Sequence, residues 1–190
     1  MAFQVKGRAL VATMRMLERA PGGPATILKT LSAEDRKFFG ELFLQSGWYA
    51  LDPYVRIMSS IASMRGMALR EWMRVQADRT AAGDVEGIYR MSLGSATPRE
   101  MAERLPRAFN RYFQPCNATV LQVADTHADF ELRAIPTRHV EFFRGINEGF
   151  VVGALRYAGA EKPSVRYEEP IASDPHEGEA TVKLPFRASF

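Results

Sequence analysis

The 190-residue sequence predicts an α+β domain, in which an N-terminal helical layer is followed by a ββαββ segment that forms a four-stranded antiparallel sheet. Before Gln114-Pro115-Cys116, apolar residues recur at helical spacing and several segments begin with helix-capping residues. After that point, four runs of alternating apolar and polar residues surround one segment with a helical period. Each run has one polar face, so we expect an antiparallel sheet that is covered on a single side.

The helical part of the chain begins with two helices and a short turn. Apolar spacing predicts a helix over 5–19, which ends at a Pro-Gly-Gly-Pro stretch, and a helical turn over 25–31. Ser32, with Asp35 three residues on, resembles a capping box and predicts the start of the next helix. Gly47 is the residue we expect to close it.

Two more helices are predicted from Asp52 onwards, before the last helix of this part. Asp52-Pro53 supplies an N-cap and a first-turn proline for the first of them. The second is expected over 69–82, with a break at Gly83-Asp84 before a further helical piece at 88–93.

The last predicted helix of this part and the sheet follow. Thr97-Pro98-Arg99-Glu100 combines a cap, an N1 proline and a glutamate at N3, so we predict a helix from there to about Phe113. The predicted strands lie near 118–124, 128–135, 163–171 and 179–186, with a helix over 139–157 between the second and the third.

Length and composition limit the class of protein. One core serves a chain of this size, so we predict a single domain over 1–190, with a helical half (1–115) and a sheet-containing half (116–190). The longest uncharged apolar run, Gly149–Leu155, is too short to span a bilayer, and no signal-peptide pattern is present. A single cysteine predicts a cytoplasmic protein. The net charge is +3, and the 25 Lys and Arg residues are interleaved with 22 Asp and Glu residues, so no basic block forms. Nucleic-acid binding is therefore not expected.

The polar residues do not form a recognisable catalytic or metal-binding motif. His127, His139 and His176 each have a carboxylate nearby, but none has the spacing that zinc sites favour. We therefore predict no metal site, no catalytic residue and no enzymatic activity. Cys116 is interpreted as a small buried hydrophobe rather than a functional thiol.

Arg104, Arg107 and Arg111 share one face of a predicted helix. One interpretation is that they bind a phosphate or another acidic group. The more usual interpretation is a solvated helix face on which they pair with nearby glutamates.

Gly145, Gly149 and Gly153 form a bare stripe on the last helix, which costs about 1 kcal/mol per glycine relative to alanine. We favour close packing of this stripe onto the sheet over contact with a ligand or another subunit. The 12 Phe and 9 Met residues either line an adaptable apolar pocket or fill the core.

Short motifs of low specificity, spread along nearly the whole chain, resemble those of a known protein family. They are Lys6-Gly7, Gly47-Trp48-Tyr49-Ala50-Leu51, Tyr54 and the glycine-bearing helix between two hairpins. With these motifs the chain resembles a family of paralogous myxobacterial proteins with a domain of unknown function. More distantly, the element order is similar to the superfamily of haem nitric-oxide-binding, four-vinyl-reductase and Bet3-like proteins. That resemblance implies binding of haem or another small molecule, burial of lipid, or a dimeric scaffold.

The haem-binding members of that superfamily hold iron through a histidine on a helix before the sheet and hold the propionates through a Tyr-x-Ser-x-Arg motif. This chain has no histidine before His127, and Tyr112-Phe113-Gln114 does not match the motif. We therefore expect no haem and name no cofactor-binding residue.

The expected function is a non-enzymatic cytoplasmic small-molecule-binding or sensor domain with a signalling role, whose ligand is apolar. The alternative is a dimeric protein-interaction scaffold without a ligand, and an enzyme is a third hypothesis. A homodimer is implied by the resemblance. A cavity lined by Phe and Met with one or two polar groups would favour binding, whereas a filled interior would favour the scaffold.

Overall fold

Helices fill most of the first half of the chain, and strands fill most of the second. The computed structural model describes residues 2–20, 22–93 and 96–190, with the backbone alone at 82 and 84–93. The helices are Gly7–Glu18 (α1), Gly23–Leu28 (α2), Ala33–Phe39 (α3), Leu51–Met64 (α4), Leu69–Leu93 (α5), Pro98–Phe109 (α6) and Val140–Tyr157 (α7). The strands are Gln4–Lys6 (β1), Trp48–Ala50 (β2), Phe113–Gln114 (β3), Asn117–Val123 (β4), His127–Pro136 (β5), Ser164–Tyr167 (β6), Ile171–His176 (β7) and Glu179–Ser189 (β8).

The main sheet confirms the predicted fold class and the ββαββ order. It is antiparallel, with the order β4-β5-β8-β6, and β7 also pairs with β8. β6 pairs with 186–189 of β8 and β7 with 179–183, on the edge of β8 that β5 leaves free. The single strand predicted near 163–171 is therefore two strands, placed one after the other along the same edge. The main sheet thus has five strands rather than the four predicted. They occupy four positions across the sheet, because β6 and β7 share the same edge of β8.

A second, smaller sheet was not predicted. β1 pairs with β2 on one side and with β3 on the other, all antiparallel. The helix predicted over 5–19 therefore begins only at Gly7, and the strands before residue 118 were missed, because strands of two or three residues are too short to show a period of two. This sheet joins the start of α1 to the loops before α4 and after α6.

Several helix ends differ from the predictions. α3 begins at the predicted cap, where the Ser32 hydroxyl accepts a hydrogen bond from the Asp35 N–H, but it ends at Gly40 rather than near Gly47. α4 begins at Leu51, one residue before Asp52, so Asp52 does not cap it. α5 runs through Gly83 without a break.

The capping box of α6 is confirmed. The Thr97 side chain accepts from the Glu100 N–H, and the Glu100 carboxylate accepts from the Thr97 N–H at 2.8 Å. The helix ends at Phe109, four residues earlier than predicted, because the chain turns there into β3.

The glycine stripe packs on a helix and not on the sheet. A Cβ at Gly145 or at Gly149 would meet the backbone carbonyl oxygen of Arg70 or of Arg74 on α5, and one at Gly153 would lie 2.7 Å from the Cβ of Ala81. The stripe thus lets the α5 and α7 backbones approach closely. The expected packing role is retained, but the expected partner, the sheet, was wrong.

The core lies between the main sheet and the helices. Its largest fully buried side chains include Phe142 and Phe143 of α7, which meet Phe113 of β3 at ring-centroid distances of 6.1 and 5.1 Å. Phe130 and Phe186 stack between neighbouring strands at 4.9 Å. Among the described residues, no helix combines the length and hydropathy that a bilayer span requires.

Candidate functional site

A cavity of about 390 Å³ lies between the helices and the main sheet. Helices α1, α4, α5, α6 and α7 form its walls, and β4, β5 and β8 contribute its floor. This volume is within the range of pockets that bind small molecules. The interior is therefore not filled, as a pure scaffold would require.

Ten of the 27 described lining residues of the cavity are aromatic or methionine. They include Phe109, Phe113, Phe130 and Phe186, together with Met58 and Met73. Thioethers and aromatic rings adapt to irregular apolar ligands. Part of the Phe and Met content thus lines a pocket, while the rest, such as Phe142, fills the core.

Few polar groups face this apolar wall. The Tyr54 hydroxyl lies within hydrogen-bonding reach of Thr13, and burial raises the pKa of Tyr54 to about 12, so it stays protonated. Asn147 donates from Nδ2 to the Tyr167 hydroxyl at 3.0 Å, which ties the cavity wall to the edge strand β6. Gln76 differs from these, because its Nε2 is buried and has no hydrogen-bond partner in the described part of the protein.

The cavity opens towards solvent beside α1. Ala12, Arg15, Gln45 and Thr80 are exposed residues of its lining, so they mark its mouth. Arg8 also lines it, and the Arg8 guanidinium lies 5.2 Å from the centre of the Tyr112 ring. Arginine and glutamine at the mouth contrast with the aromatic interior.

The structure does not bring the three histidines together. His139 is buried, and its Nε2 lies 2.6 Å from a carboxylate oxygen of Asp52, which also accepts from Arg138. His176 packs edge-on against Phe3. His127 begins β5 at the sheet end, and among the described residues no group of three or more His, Cys, Asp or Glu side chains is placed to hold a metal ion.

The remaining candidates, Cys116 and the three arginines of α6 and its C-terminal turn, lie outside the described lining of the cavity. Cys116 is buried, its thiol donates to the Ala134 carbonyl at 3.2 Å, and burial raises the thiol pKa to about 12, as expected of a small hydrophobe. Arg104 is half-buried, whereas Arg107 and Arg111 are exposed, and none of these three lines the cavity.

The cavity-lining residues Gln76, Tyr54, Arg8 and Arg15 were not identified from the sequence. Each lies in a helix whose apolar period predicts a buried face, but that period does not indicate where the buried face meets a void instead of a side chain. The unusual density of Phe and Met was the one available signal.

The fold and the cavity together define an α+β domain with an internal cavity. Solved structures with the same fold are H-NOX domains. One from K. algicida is 12% identical with a TM-score of 0.65, over 97% of this chain and 95% of that chain. An oxygen-binding H-NOX domain related to soluble guanylate cyclases is 14% identical with a TM-score of 0.63, over 97% and 94%. A variant of the T. tengcongensis H-NOX protein is 15% identical with a TM-score of 0.64, over 97% of each.

The likeness to these structures shows the fold alone. No family model matches the chain, and no curated protein matches it. The resemblance to the myxobacterial paralogues therefore stays a prediction.

The described lining does not fit a haem iron. Haem proteins hold the iron through histidine, a cysteine thiolate, methionine with histidine, or tyrosinate. No histidine or cysteine is among the described lining residues, so Met58 and Met73 have no imidazole to complete a ligand pair. The tyrosines of the described lining are Tyr54, whose hydroxyl lies within hydrogen-bonding reach of Thr13, and Tyr112, whose ring centre lies 5.2 Å from the Arg8 guanidinium.

Proposed function

We propose that this chain is a non-enzymatic, cytoplasmic sensor domain of H-NOX fold that binds an apolar small molecule other than haem. The supporting observation is the cavity of about 390 Å³, whose described lining is mostly apolar and includes aromatic and methionine side chains.

Binding is coupled to the rest of the domain through α7. This helix lines the cavity with Ile146, Asn147, Phe150 and Val151. The Asn147 amide also holds Tyr167 on β6, whose hydroxyl donates to the Arg144 carbonyl at 3.0 Å. A ligand that shifts α7 would therefore move the sheet edge, which gives a sensor an output surface.

Plugging the mouth tests this proposal. Ala12→Trp places an indole at an exposed lining position, so it is expected to block the cavity without overpacking the core. Native and denaturing mass spectrometry should show a bound mass on wild-type protein that is lost from the variant. Ala25→Trp, at an exposed position of α2 outside the lining, is the control and should keep the mass. A wild-type protein without bound mass, and with no uptake of dodecanoate, dodecyl phosphate or 1-dodecanol, would contradict the proposal.

Haem titration tests the exclusion of haem. We expect no Soret band when stoichiometric haem is added to the purified protein, because the described lining offers no imidazole or thiolate to the iron. Absorbance spectra before and after gel filtration are the measurement. Repeating the titration with added free imidazole distinguishes two reasons for a missing Soret band. A band that appears only with imidazole indicates that the protein lacks an iron ligand, and no band in either case indicates that the cavity does not accept haem. A Soret band that survives gel filtration without imidazole, and disappears on replacing Met58 or Met73, would overturn the exclusion.

A dimeric interaction scaffold is the alternative function. Leu42 and Leu44, in the loop between α3 and β2, are 87% and 62% exposed, and exposed apolar side chains of this size suit a protein contact. We expect a homodimer through the helical half. Light scattering of wild type beside Leu42→Ser/Leu44→Ser tests it, since a monomeric but folded variant from a dimeric parent would place the interface on this loop.

A further inference from the structure

We propose that the ligand of this cavity is a neutral, mostly apolar molecule with a hydroxyl group, which donates a hydrogen bond to Oδ1 of Asn147. This inference rests on the proposed binding function and names the class of ligand. It is carried by one buried side chain of α7. Asn147 is 6% exposed and lines the cavity, and among the described residues its amide has a partner on one arm and none on the other.

Asn147 lies within the face of α7 that forms the cavity wall. Ile146 precedes it in the lining, and Phe150 and Val151, three and four residues further on, follow it one turn along the same face. These three neighbours are apolar, so the amide interrupts a hydrophobic wall. Asparagine favours a helix less than leucine or alanine does, so helix formation does not account for its place there.

The hydrogen bonds around Tyr167 fix which arm of the Asn147 amide is left. The Tyr167 hydroxyl lies 3.0 Å from the carbonyl oxygen of Arg144, which can only accept, so the single hydroxyl proton is donated there. Burial raises the pKa of Tyr167, so the hydroxyl keeps that proton. The hydroxyl oxygen must then accept from Asn147, which places Nδ2 at 3.0 Å from it. Oδ1 is therefore the arm without a hydrogen-bond partner in the described part of the protein.

An amide oxygen accepts hydrogen bonds and does not donate them, so it distinguishes ligands by their donors. A buried acceptor that stays unpaired is costly, and a ligand with a hydroxyl removes that cost where an ether does not. A hydroxyl also suits the site better than an ammonium group, whose buried charge would exchange its water for one neutral oxygen. Thr13, also buried in the lining, differs from Asn147, because its hydroxyl already donates to the Ala9 carbonyl at 2.9 Å.

Calorimetric titration with two isomers tests the assignment. The probes are 1-octanol and 1-methoxyheptane, which have the same atoms, but the alcohol alone has a hydroxyl proton. Any copurified ligand is first extracted on an apolar resin. We expect wild-type protein to bind the alcohol about fivefold to tenfold more tightly than the ether, the gain typical of one hydrogen bond. Asn147→Leu has a similar size and no oxygen, so it is expected to bind the alcohol more weakly and to lose this preference.

Two further variants assign the effect to Oδ1. Asn117→Leu is the control, since Asn117 begins β4 outside the lining, and it should keep the wild-type ratio of the two affinities. Tyr167→Phe removes the hydroxyl that fixes the amide, so Nδ2 can turn into the cavity and donate to the ether oxygen. We expect this variant to bind the ether more tightly and the alcohol unchanged, so that the ratio falls towards one. Thermal unfolding of each variant shows that it is folded.

The outcomes separate this inference from the proposed function. Equal affinity of wild type for the two isomers overturns the hydroxyl assignment and leaves the apolar cavity standing. The same holds if the wild-type ratio persists in Asn147→Leu, or in Tyr167→Phe where the first variant does not fold. Equal weakening of both isomers by Asn147→Leu also overturns it, because a purely structural role has that effect. Binding of neither isomer overturns the assignment, and together with the absence of a copurified mass it overturns the binding function too.

Discussion

Replacing Gly149 with leucine is expected to lower the free energy of unfolding by more than about 3 kcal/mol, at the upper end of the cost of overpacking, and to leave the oligomeric state unchanged. A Cβ at this position would fall on the backbone carbonyl oxygen of Arg74, and it would also lie 2.8 Å from the carbonyl carbon of Arg74 and 3.0 Å from the Cβ of Ala77. Backbone atoms cannot turn away as a flexible side chain does, so α5 and α7 must move apart. Urea unfolding and light scattering measure the two results.

A smaller substitution keeps this prediction testable if the leucine variant does not fold. Gly149→Ala adds only the Cβ, and we expect it to cost about 2 kcal/mol. The control is Gly83→Ala on α5, where an added Cβ meets no described atom within 4 Å outside its own stretch of helix. There alanine should stabilise the helix by up to about 1 kcal/mol. A folded monomeric Gly149 variant from a dimeric parent would instead place a subunit interface on α7.

Separation of α5 and α7 should also change the cavity. Gln76 and Ala77 on α5, and Asn147 and Val151 on α7, line it beside the close helix contact. The stripe therefore sets the width of the binding site as well as the stability of the domain. We expect the Gly149→Ala variant to bind ligands more weakly than its loss of stability alone would explain. The reason is that the separated cavity walls on α5 and α7 would no longer fit the shape of the ligand.

The sequence predicted those parts of the fold in which local physics decides the outcome. Thr97 and Ser32 cap helices as expected, because a hydroxyl three residues before a backbone N–H satisfies it wherever the helix packs. The alternation of β5 and β8 likewise follows from a sheet with one buried face.

Predictions that depended on distant partners were less successful. Asp52-Pro53 has the local pattern of a helix start, but the Asp52 carboxylate is bound by Arg138 and lies against His139, more than 80 residues away. The packing partner of Gly149 could not be inferred for the same reason, since a bare helix face fits a sheet and a helix equally well. Cavity walls depend on every neighbouring element at once, so Arg15 and Gln76 were not identified at all.

The ion pair between the buried Asp35 of α3 and the half-exposed Arg56 of α4 is expected to make stability depend on pH below about 4. The Asp35 carboxylate is 3% exposed and accepts from Nε and Nη2 of Arg56 at 2.8 and 2.6 Å. The hydrogen bond from Arg56 outweighs burial, which acts in the opposite direction, and holds the pKa of Asp35 below its usual range. A lowered pKa in the folded state means that the stabilisation is complete above the unfolded pKa, about 3.9, and is lost as the pH falls through the folded pKa.

Urea unfolding of wild type and Asp35→Asn at pH 7, 4 and 2.5 measures this contribution. At pH 7 we expect the variant to lose about 2 kcal/mol, because a charge-assisted pair with a buried partner becomes a neutral contact. At pH 2.5, which lies below the unfolded pKa, the difference should be smaller than at pH 7, because the stabilisation from a carboxyl group with a lowered folded-state pKa declines as the pH falls. Asp129→Asn is the matched control. Asp129 accepts from Arg187 in the same two-bond geometry, at 2.7 and 2.9 Å, but it is 26% exposed, so its replacement should cost less than about 1 kcal/mol. Equal losses in the two variants at pH 7, or a wild-type advantage over Asp35→Asn that persists unchanged at pH 2.5, would show that the charge of Asp35 does not hold α3 against α4.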